Sequence, residues 1–168
     1  MLMTDPVYVR TMARYNRWQN GSLYAAADTL SDEARRQDRG AFFKSIHATL
    51  NHLLWADTMW MSRFSDVARP TGTLRDSAFF VDDWTTLKRE RAVMDERIAA
   101  WAEKIDAAAL SGELKWRSSI GTDVVNARWL AVAHFFNHQT HHRGQVHAML
   151  TAAGAKPEDT DLILMQLV

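Results

Sequence analysis

The sequence predicts an all-α fold, an up-and-down four-helix bundle that takes up residues 1–168 as a single domain. The length suits one domain with a sizeable core. Only three prolines occur, and four long tracts of the chain repeat apolar residues at steps of three and four, the spacing of one helix face. A content of 47% hydrophobic and 24% charged residues is the balance of an ordinary globular protein.

The first predicted helix begins at Thr4 or Asp5, either of which can cap it, and ends near Leu30. Pro6 suits the first helical position, where no backbone N–H is needed. The stripe of this helix consists of Tyr8, Met12, Tyr15, Trp18 and Ser22. The segment SDEARRQ that follows is predicted to form a short turn or a helical stub.

The second predicted helix runs from about Phe43 to Phe64, and a loop punctuated by Pro70 and Gly72 follows it. The stripe of this helix consists of Ile46, Leu50, Leu53, Trp60 and Phe64. The third predicted helix runs from about Asp83 to Ile105, with Asp83 or the preceding aspartate as its cap. Its heptad seam consists of Trp84, Leu87, Arg91, Met94, Ile98, Trp101 and Ile105.

Apolar and polar residues alternate around Leu114, and Gly121 follows, which predicts a short β-hairpin or extended excursion over residues 111–127. The fourth predicted helix runs from about Ala127 to Ala153, and Gly154 provides a suitable C-terminal cap. A last short helix is predicted near the C-terminus, capped by Asp159 or Thr160.

The composition excludes several classes of function. Lys+Arg and Asp+Glu are both 20, so the net charge is zero, whereas a nucleic-acid-binding protein usually has a basic excess. The chain has no cysteine, which excludes a cysteine nucleophile and thiolate metal ligands. The N-terminus does not resemble a signal peptide, and no apolar run is long enough to span a bilayer. We therefore expect a cytoplasmic protein with neither nucleic acid nor membrane as a partner.

Five of the seven histidines lie on the fourth predicted helix. His138 and His142 are four residues apart, so they share a face and their imidazoles can converge on one metal ion. His134, one turn before His138, is placed to reach the same site. His141 and His147 lie off this line, because a helix has about 3.6 residues per turn.

Two histidines do not make a tight site, and the second predicted helix offers His52 as a third ligand. His47 points elsewhere. The residues that share the face of His52 are small or apolar, namely Ala48, Trp55, Ala56 and Met59, and Trp55 is a candidate wall of the pocket. Three neutral imidazoles leave coordination positions for water or substrate, as in catalytic zinc sites. The alternative is a metal-free bundle with histidines in its core.

The residues around the histidine pair exclude one metal-dependent reaction and indicate two structural roles. Gln139 stands where a zincin metalloprotease has its catalytic glutamate, and a neutral amide cannot accept a proton. Arg143 is expected to be structural or at an interface, and Gly144 indicates close helix packing.

Five further residues are candidates to support the ligand histidines or to contact a substrate: His134, Gln145, Asn137, Tyr15 and Arg91. Ligand histidines commonly donate their second ring N–H to a neighbouring acceptor. Arg91 is singled out because a charge in an apolar seam is costly unless it is paired or faces a cavity. It is expected either to contact an anionic group of the substrate or to form a buried ion pair with Asp57 or Asp95.

The segment NHQTHHRGQVHAMLTAAG resembles the signature of the DinB/YfiT-like family of damage-inducible metal-binding proteins. Segments that resemble the family in the same order are YNRW, SIHATLNHLLWADTMWMSR, LKRERAVMDERIAAW and EDTDLI, so the resemblance covers nearly the whole chain. It implies a four-helix bundle with one divalent metal ion, nickel or zinc, bound by three histidines, and often a homodimer. The family's ligands fall on His52, His138 and His142.

Members of the wider superfamily that this chain resembles use low-molecular-weight thiols, among them mycothiol-dependent isomerases and bacillithiol transferases. The leading hypothesis is therefore metal-dependent transfer of a small thiol to an electrophile, with the thiolate as nucleophile. Since the chain has no cysteine, that thiol has to be a co-substrate. Metal-dependent hydrolysis is a second hypothesis. The third is a non-enzymatic, dimeric metal-binding or stress-response protein whose ion mainly holds helices together.

Overall fold

The computed structural model describes residues 4–118 and 121–167, and this part of the chain is mostly helical, as predicted. Its α-helices are α1 (Pro6–Asp28), α2 (Asp32–Arg36), α3 (Ile46–Phe64), α4 (Trp84–Lys104), α5 (Ala107–Leu110) and α6 (Arg128–Ala152). Two strands, β1 (Glu113–Arg117) and β2 (Asp123–Ala127), form an antiparallel hairpin. Short 3₁₀ helices span Ser77–Phe79 and Leu162–Leu167. The described part contains no helix long and apolar enough to cross a membrane.

Side-chain caps fix where three of the four long helices begin, namely α1, α3 and α4. The Asp5 carboxylate accepts a hydrogen bond of 2.7 Å from the Tyr8 backbone N–H at the start of α1, and Asp83 caps α4 in the same way. The predicted start of the second long helix at Phe43 is wrong. Lys44 has a positive φ of 70°, which interrupts a helix, and Ser45 then caps α3. The last short segment is a 3₁₀ helix that begins at Leu162, beyond the residues predicted to cap it.

The pairing of the long helices differs from a simple up-and-down order, in which each helix packs on the next. Helix α1 packs mainly on α4 and α6, and α3 packs on the same two helices. The helices α1 and α3 are therefore not a packed pair, although they are consecutive long helices in the chain. The connection between them, residues 29–45, includes α2 and is long enough to cross the end of the helical layer.

An apolar core fills the space between the four long helices. Its largest fully buried side chains are Phe135, Phe136, Leu23, Ile46, Leu50, Leu54, Met61, Leu87, Ile98, Leu110 and Leu150. Each long helix contributes to this core through residues three or four positions apart, which is the pattern that predicted the helices. The core is therefore shared by all four long helices.

A buried ion-pair cluster lies within this core. The Arg91 guanidinium donates to the Asp57 carboxylate at 2.7 Å and lies 2.9 Å from Asp95, its neighbour one turn along α4. Burial alone would lower the pKa of Arg91, but the carboxylates of Asp95 and Asp57 raise it. Arg91 thus forms the buried ion pair that was one of its two sequence-based interpretations. It is not among the residues that line the cavity at the histidines.

Amides from the other two long helices extend this cluster. Asn16 and Asn20 of α1 donate to Asp95 at 3.0 and 2.9 Å, and Gln139 of α6 donates to Asp57 at 3.0 Å. Arg143 of α6 donates to the Asn16 side-chain oxygen. The polar cluster consequently links all four long helices by side-chain hydrogen bonds, in addition to their apolar packing.

The hairpin pairs Glu113 with Ala127 and Arg117 with Asp123. A hairpin was one of the two forms predicted for this segment. Part of its turn, residues 119–120, lies outside the described residues. The Trp116 indole N–H donates to the Asn126 side chain at 2.9 Å, and its ring lies 5.3 Å from that of Trp60 on α3. The hairpin thus holds an aromatic side chain against the last turns of α3.

Candidate metal centre

Three histidines converge between α3 and α6. His52 comes from α3, and His138 and His142 come from successive turns of α6. One ring nitrogen from each lies within 4.8 Å of the others, and the Nε2 atoms of His52 and His138 are 3.2 Å apart. Metal–nitrogen bonds of about 2.0–2.1 Å in tetrahedral geometry separate two ligand nitrogens by about 3.3 Å. The spacing of these side chains therefore fits a single divalent ion.

The environment of His52 fixes which ring nitrogen is free. Its Nδ1 lies 2.9 Å from the Ser77 hydroxyl, and that hydroxyl donates its own proton to the Leu74 carbonyl at 2.7 Å. A hydroxyl has one proton to donate, so Ser77 must accept from His52 Nδ1–H. The lone pair of His52 then resides on Nε2, the atom that faces His138. Ser77 was not predicted, because nothing in its loop segment pairs it with a histidine.

A second hydrogen-bond chain orients His142. Its Nδ1 lies 2.8 Å from the Gln145 side-chain oxygen, and the Gln145 amide nitrogen lies 3.3 Å from Nε2 of His141. An amide oxygen only accepts, so His142 carries its proton on Nδ1 and presents the lone pair of Nε2. Gln145, a sequence-based candidate for such support, lies where that role requires it.

Burial favours the neutral form of all three imidazoles. Burial, followed by the neighbouring histidines, lowers the pKa of His52 to about 3 and that of His138 to about 3. Burial also lowers the pKa of His142. Because a metal ligand has to be deprotonated, these shifts keep the lone pairs available well below neutral pH.

An aromatic ring closes one side of the site. Phe43 stacks on His52 with a centroid distance of 3.9 Å and an interplanar angle of 21°, and it lies 5.5 Å from His142. Sequence analysis placed Phe43 at the start of a helix. It instead belongs to the turn that Lys44 ends with its positive φ. This turn carries the ring over the imidazoles.

A cavity of about 210 Å³ borders two of the three histidines, His52 and His138. Its walls are formed by His52, Trp55, Ala56, Met59, Trp60, Arg63, Leu74, Trp116, His134 and His138. The stretch of α3 that sequence analysis described as small and apolar around His52 supplies Trp55, Ala56 and Met59. The Trp55 indole N–H donates to the Thr71 carbonyl at 3.0 Å, which fixes that wall. No carboxylate is found among these lining residues.

Of the remaining candidates, His134 lies next to the site and lines the cavity, with its ring 5.8 Å from that of His138. Asn137 is exposed, on a different face of α6. Tyr15 lies outside the site, because its hydroxyl donates to the Thr160 carbonyl at 2.6 Å. His47 is buried away from the three histidines and its Nδ1 contacts the Asn51 amide at 3.1 Å.

Two expectations about α6 have different outcomes. Arg143 is structural, because it is buried and donates to Asn16. This was one of the two roles expected for it. The expectation that Gly144 allows close helix packing is wrong. The glycine is exposed, and no atom lies within 4 Å of the position that a Cβ would take. A glycine on the solvent side of a helix leaves the same sequence pattern as one at a helix contact.

The fold and the three histidines define a helical protein with a candidate site for one divalent metal ion. The model of the DinB family matches residues 3–167, and the chain therefore belongs to the DinB family. The resemblance noted in the sequence is confirmed. The chain is also similar to "Protein DinB" of Bacillus subtilis (strain 168). The two are 25% identical over 154 residues, which cover 88% of this chain and 87% of that protein.

Proposed function

We propose that this chain is a four-helix-bundle protein that binds one divalent ion, nickel or zinc, through His52, His138 and His142. The observation that carries the proposal is the convergence of the three imidazoles on one point. Two of them have their Nε2 lone pairs set by Ser77 and Gln145. Among the described residues, no fourth histidine or carboxylate joins this group, so protein side chains fill only part of a coordination sphere.

We further propose that the site is catalytic and that its reaction is transfer of a small thiol to an electrophile. A divalent ion, when bound, supplies the positive charge that favours a thiol's thiolate form, which is the nucleophile. The side chains around it exclude water and bind the apolar part of the reactants, since three tryptophans line the cavity.

The lining of the cavity favours thiol transfer over hydrolysis. Hydrolytic sites commonly use a carboxylate as a general base to activate water, and no carboxylate lines this cavity. A thiol ionises more readily than water, with a pKa of about 8.5, and so depends less on such a base. The carboxylate of Asp57, which lies in the core, already accepts from Arg91 and Gln139.

A purely structural role for the ion is the competing reading, and the core argues against it. The polar cluster around Asp57 and Arg91 and the shared apolar core join the four long helices without contribution from a metal. We therefore expect metal-free protein to keep its fold and to lose activity. Metal-free protein that is unfolded by circular dichroism would favour the structural role.

Metal content tests the site. Untagged wild-type protein is expected to bind about one equivalent of nickel or zinc, measured by plasma mass spectrometry after dialysis. His52→Ala and His138→Ala should lose it, whereas His147→Ala, which changes a histidine on α6 outside the cluster, should retain it. Equal metal content in all four proteins contradicts the site. A panel of common small thiols with electrophilic acceptors then tests transfer, and a panel without turnover favours a non-enzymatic stress-response protein.

The partners follow from the same proposal. We propose a small-molecule substrate, a low-molecular-weight thiol as co-substrate, and a homodimer in the cytoplasm. The support for the thiol and the dimer is the family resemblance, and the compartment is an expectation from the sequence. Light scattering coupled to size-exclusion chromatography tests the dimer, and a molar mass near the 19.2 kDa of one chain contradicts it.

A further inference from the structure

One cation lines the cavity beside the three histidines. Arg63 lies on α3, 11 residues after His52, and this separation is about three helical turns, so both side chains lie on one face of the helix. Its guanidinium carbon lies 4.3 Å from the ring centre of Trp60 and 4.2 Å from that of Trp116. Two indole rings therefore contact the guanidinium, one from α3 and one from the hairpin.

The charge of Arg63 has no acidic partner among the residues that the structure describes. None of the salt bridges between described residues includes Arg63, and no carboxylate lines the cavity. Burial, followed by the charge of Arg69, lowers the pKa of Arg63 to about 10, so the side chain remains cationic at neutral pH. Arg91 in the core differs, because two carboxylates match its charge.

The cavity as a whole has an excess of positive charge. Arg63 is the only charged side chain among the described residues that line it, and a divalent ion bound by three neutral imidazoles would add further positive charge. Cavities lined by one sign of charge attract ligands of the opposite sign. The N–H groups of a planar guanidinium form a fork that matches the two oxygens of a carboxylate or a phosphate.

We propose that Arg63 binds the anionic group of a small substrate whose other end lies at the three histidines. The proposal identifies the class of substrate that the site binds. The placement of the substrate's other end at the histidines rests on the proposed metal function. The ligand is a small, largely apolar molecule with a carboxylate or phosphate at one end. Its size follows from the cavity of about 210 Å³, which is below the roughly 300–1,000 Å³ usual for drug-sized ligands.

The helix geometry sets the length of this ligand. Eleven residues correspond to about 16 Å along the axis of α3. The arginine side chain is long and leans toward the N-terminal end of its helix, so it reaches back toward His52. The remaining gap is on the order of 10 Å, which a chain of six carbons with a terminal anion spans.

Binding of matched six-carbon probes tests the proposal. Dissociation constants of hexanoate, hexyl phosphate and 1-hexanol are measured by ligand-observed NMR on metal-free and zinc-treated protein. At least one anion is expected to bind about tenfold more tightly than hexanol, because a guanidinium forms stronger hydrogen bonds with a charged acceptor than with a neutral hydroxyl. The two anions distinguish carboxylate from phosphate. Arg63→Met should abolish the preference, and Arg63→Lys, which keeps the charge, should retain part of it.

Arg97→Met is the matched control, since it removes an arginine from α4 that does not line this cavity. Circular dichroism and thermal unfolding verify that each variant is folded. Equal binding of anions and hexanol by the wild type overturns the proposal, as does an unchanged preference in Arg63→Met or an equal loss in Arg97→Met.

A separate measurement tests whether the site binds a metal ion. On zinc-treated protein, 6-mercaptohexanoate should bind at least about tenfold more tightly than hexanoate, because its thiol reaches the histidines. Equal binding of these two acids contradicts the metal function. It does not bear on the binding of an anion by Arg63. The anion preference and its dependence on Arg63 are measured on metal-free protein and are judged separately.

Discussion

Ser77→Ala tests whether a single hydroxyl determines the metal affinity of the site. Ser77 is fully buried, accepts from His52 Nδ1–H at 2.9 Å and donates to the Leu74 carbonyl at 2.7 Å. Without the hydroxyl, the His52 ring has no acceptor for its Nδ1 proton. It can then rotate, or it can move the proton to Nε2, the atom that faces His138. Either change removes one of the three donors from part of the population.

Loss of such a supporting hydrogen bond typically lowers metal affinity about 10–100-fold, which corresponds to about 1.4–2.7 kcal/mol of binding free energy. The stoichiometry should stay at one ion, because all three imidazoles remain. The assay is competition for zinc with a chromophoric chelator at pH 7. Ser62→Ala is the matched control, since Ser62 also donates to a carbonyl, at 2.8 Å from Met59, but contacts no histidine. An affinity within twofold of wild type, or an equal loss in Ser62→Ala, would refute the reasoning.

Three further predictions concern the helices that hold the site. Gln139→Glu places a second carboxylate about 3 Å from that of Asp57 in the core. Because this carboxylate is buried without a partner, the free energy of unfolding should fall by about 3 kcal/mol. Unchanged urea denaturation contradicts this prediction. Gly144→Ala should raise the free energy of unfolding by up to about 1 kcal/mol, because its Cβ meets open space, and a lower melting temperature contradicts it. Metal-free protein should lose stability as the pH falls below about 6.5, since the unfolded chain then takes up protons that His52 and His138, with pKa values of about 3, do not. In His52→Ala the loss should be smaller, and a pH dependence equal to that of wild type in urea denaturation contradicts the cause.

The elements of the fold were predictable from local patterns, whereas the pairing of the helices was not. Apolar spacing, Asp5, Asp83 and Gly154 placed the ends of helices within a few residues, because these signals act within one or two turns. The packing of α1 on α4 and α6 depends on how a 17-residue connection, residues 29–45, crosses the fold. Periodicity contains no information about that path.

In the candidate site, too, local patterns predicted some residues, whereas residues brought in by irregular segments were not predicted. The four-residue step between His138 and His142 is a helical signal, and the family resemblance agrees with it and with the choice of His52. Ser77 and Phe43 come from irregular segments, where no period links a residue to the face that it covers. Arg63 was overlooked because a charge near a helix end usually faces solvent, and only the hairpin brings Trp116 over it.

The spacing on α6 explains how the fold can hold three histidines in place without an ion. His138 and His142 form one stripe, and Gln139 and Arg143 form a second stripe that is offset by one residue, or about 100° around the helix. The second stripe is buried and hydrogen-bonded to Asp57 of α3 and to α1. These bonds fix both the rotation of α6 about its axis and its position along α3. Because the rotation of a helix determines the direction of every side chain on it, the same bonds point the imidazoles at His52. The cluster is therefore expected to be preorganised in the metal-free protein, which is the property that separates a catalytic site from an ion that holds the helices together.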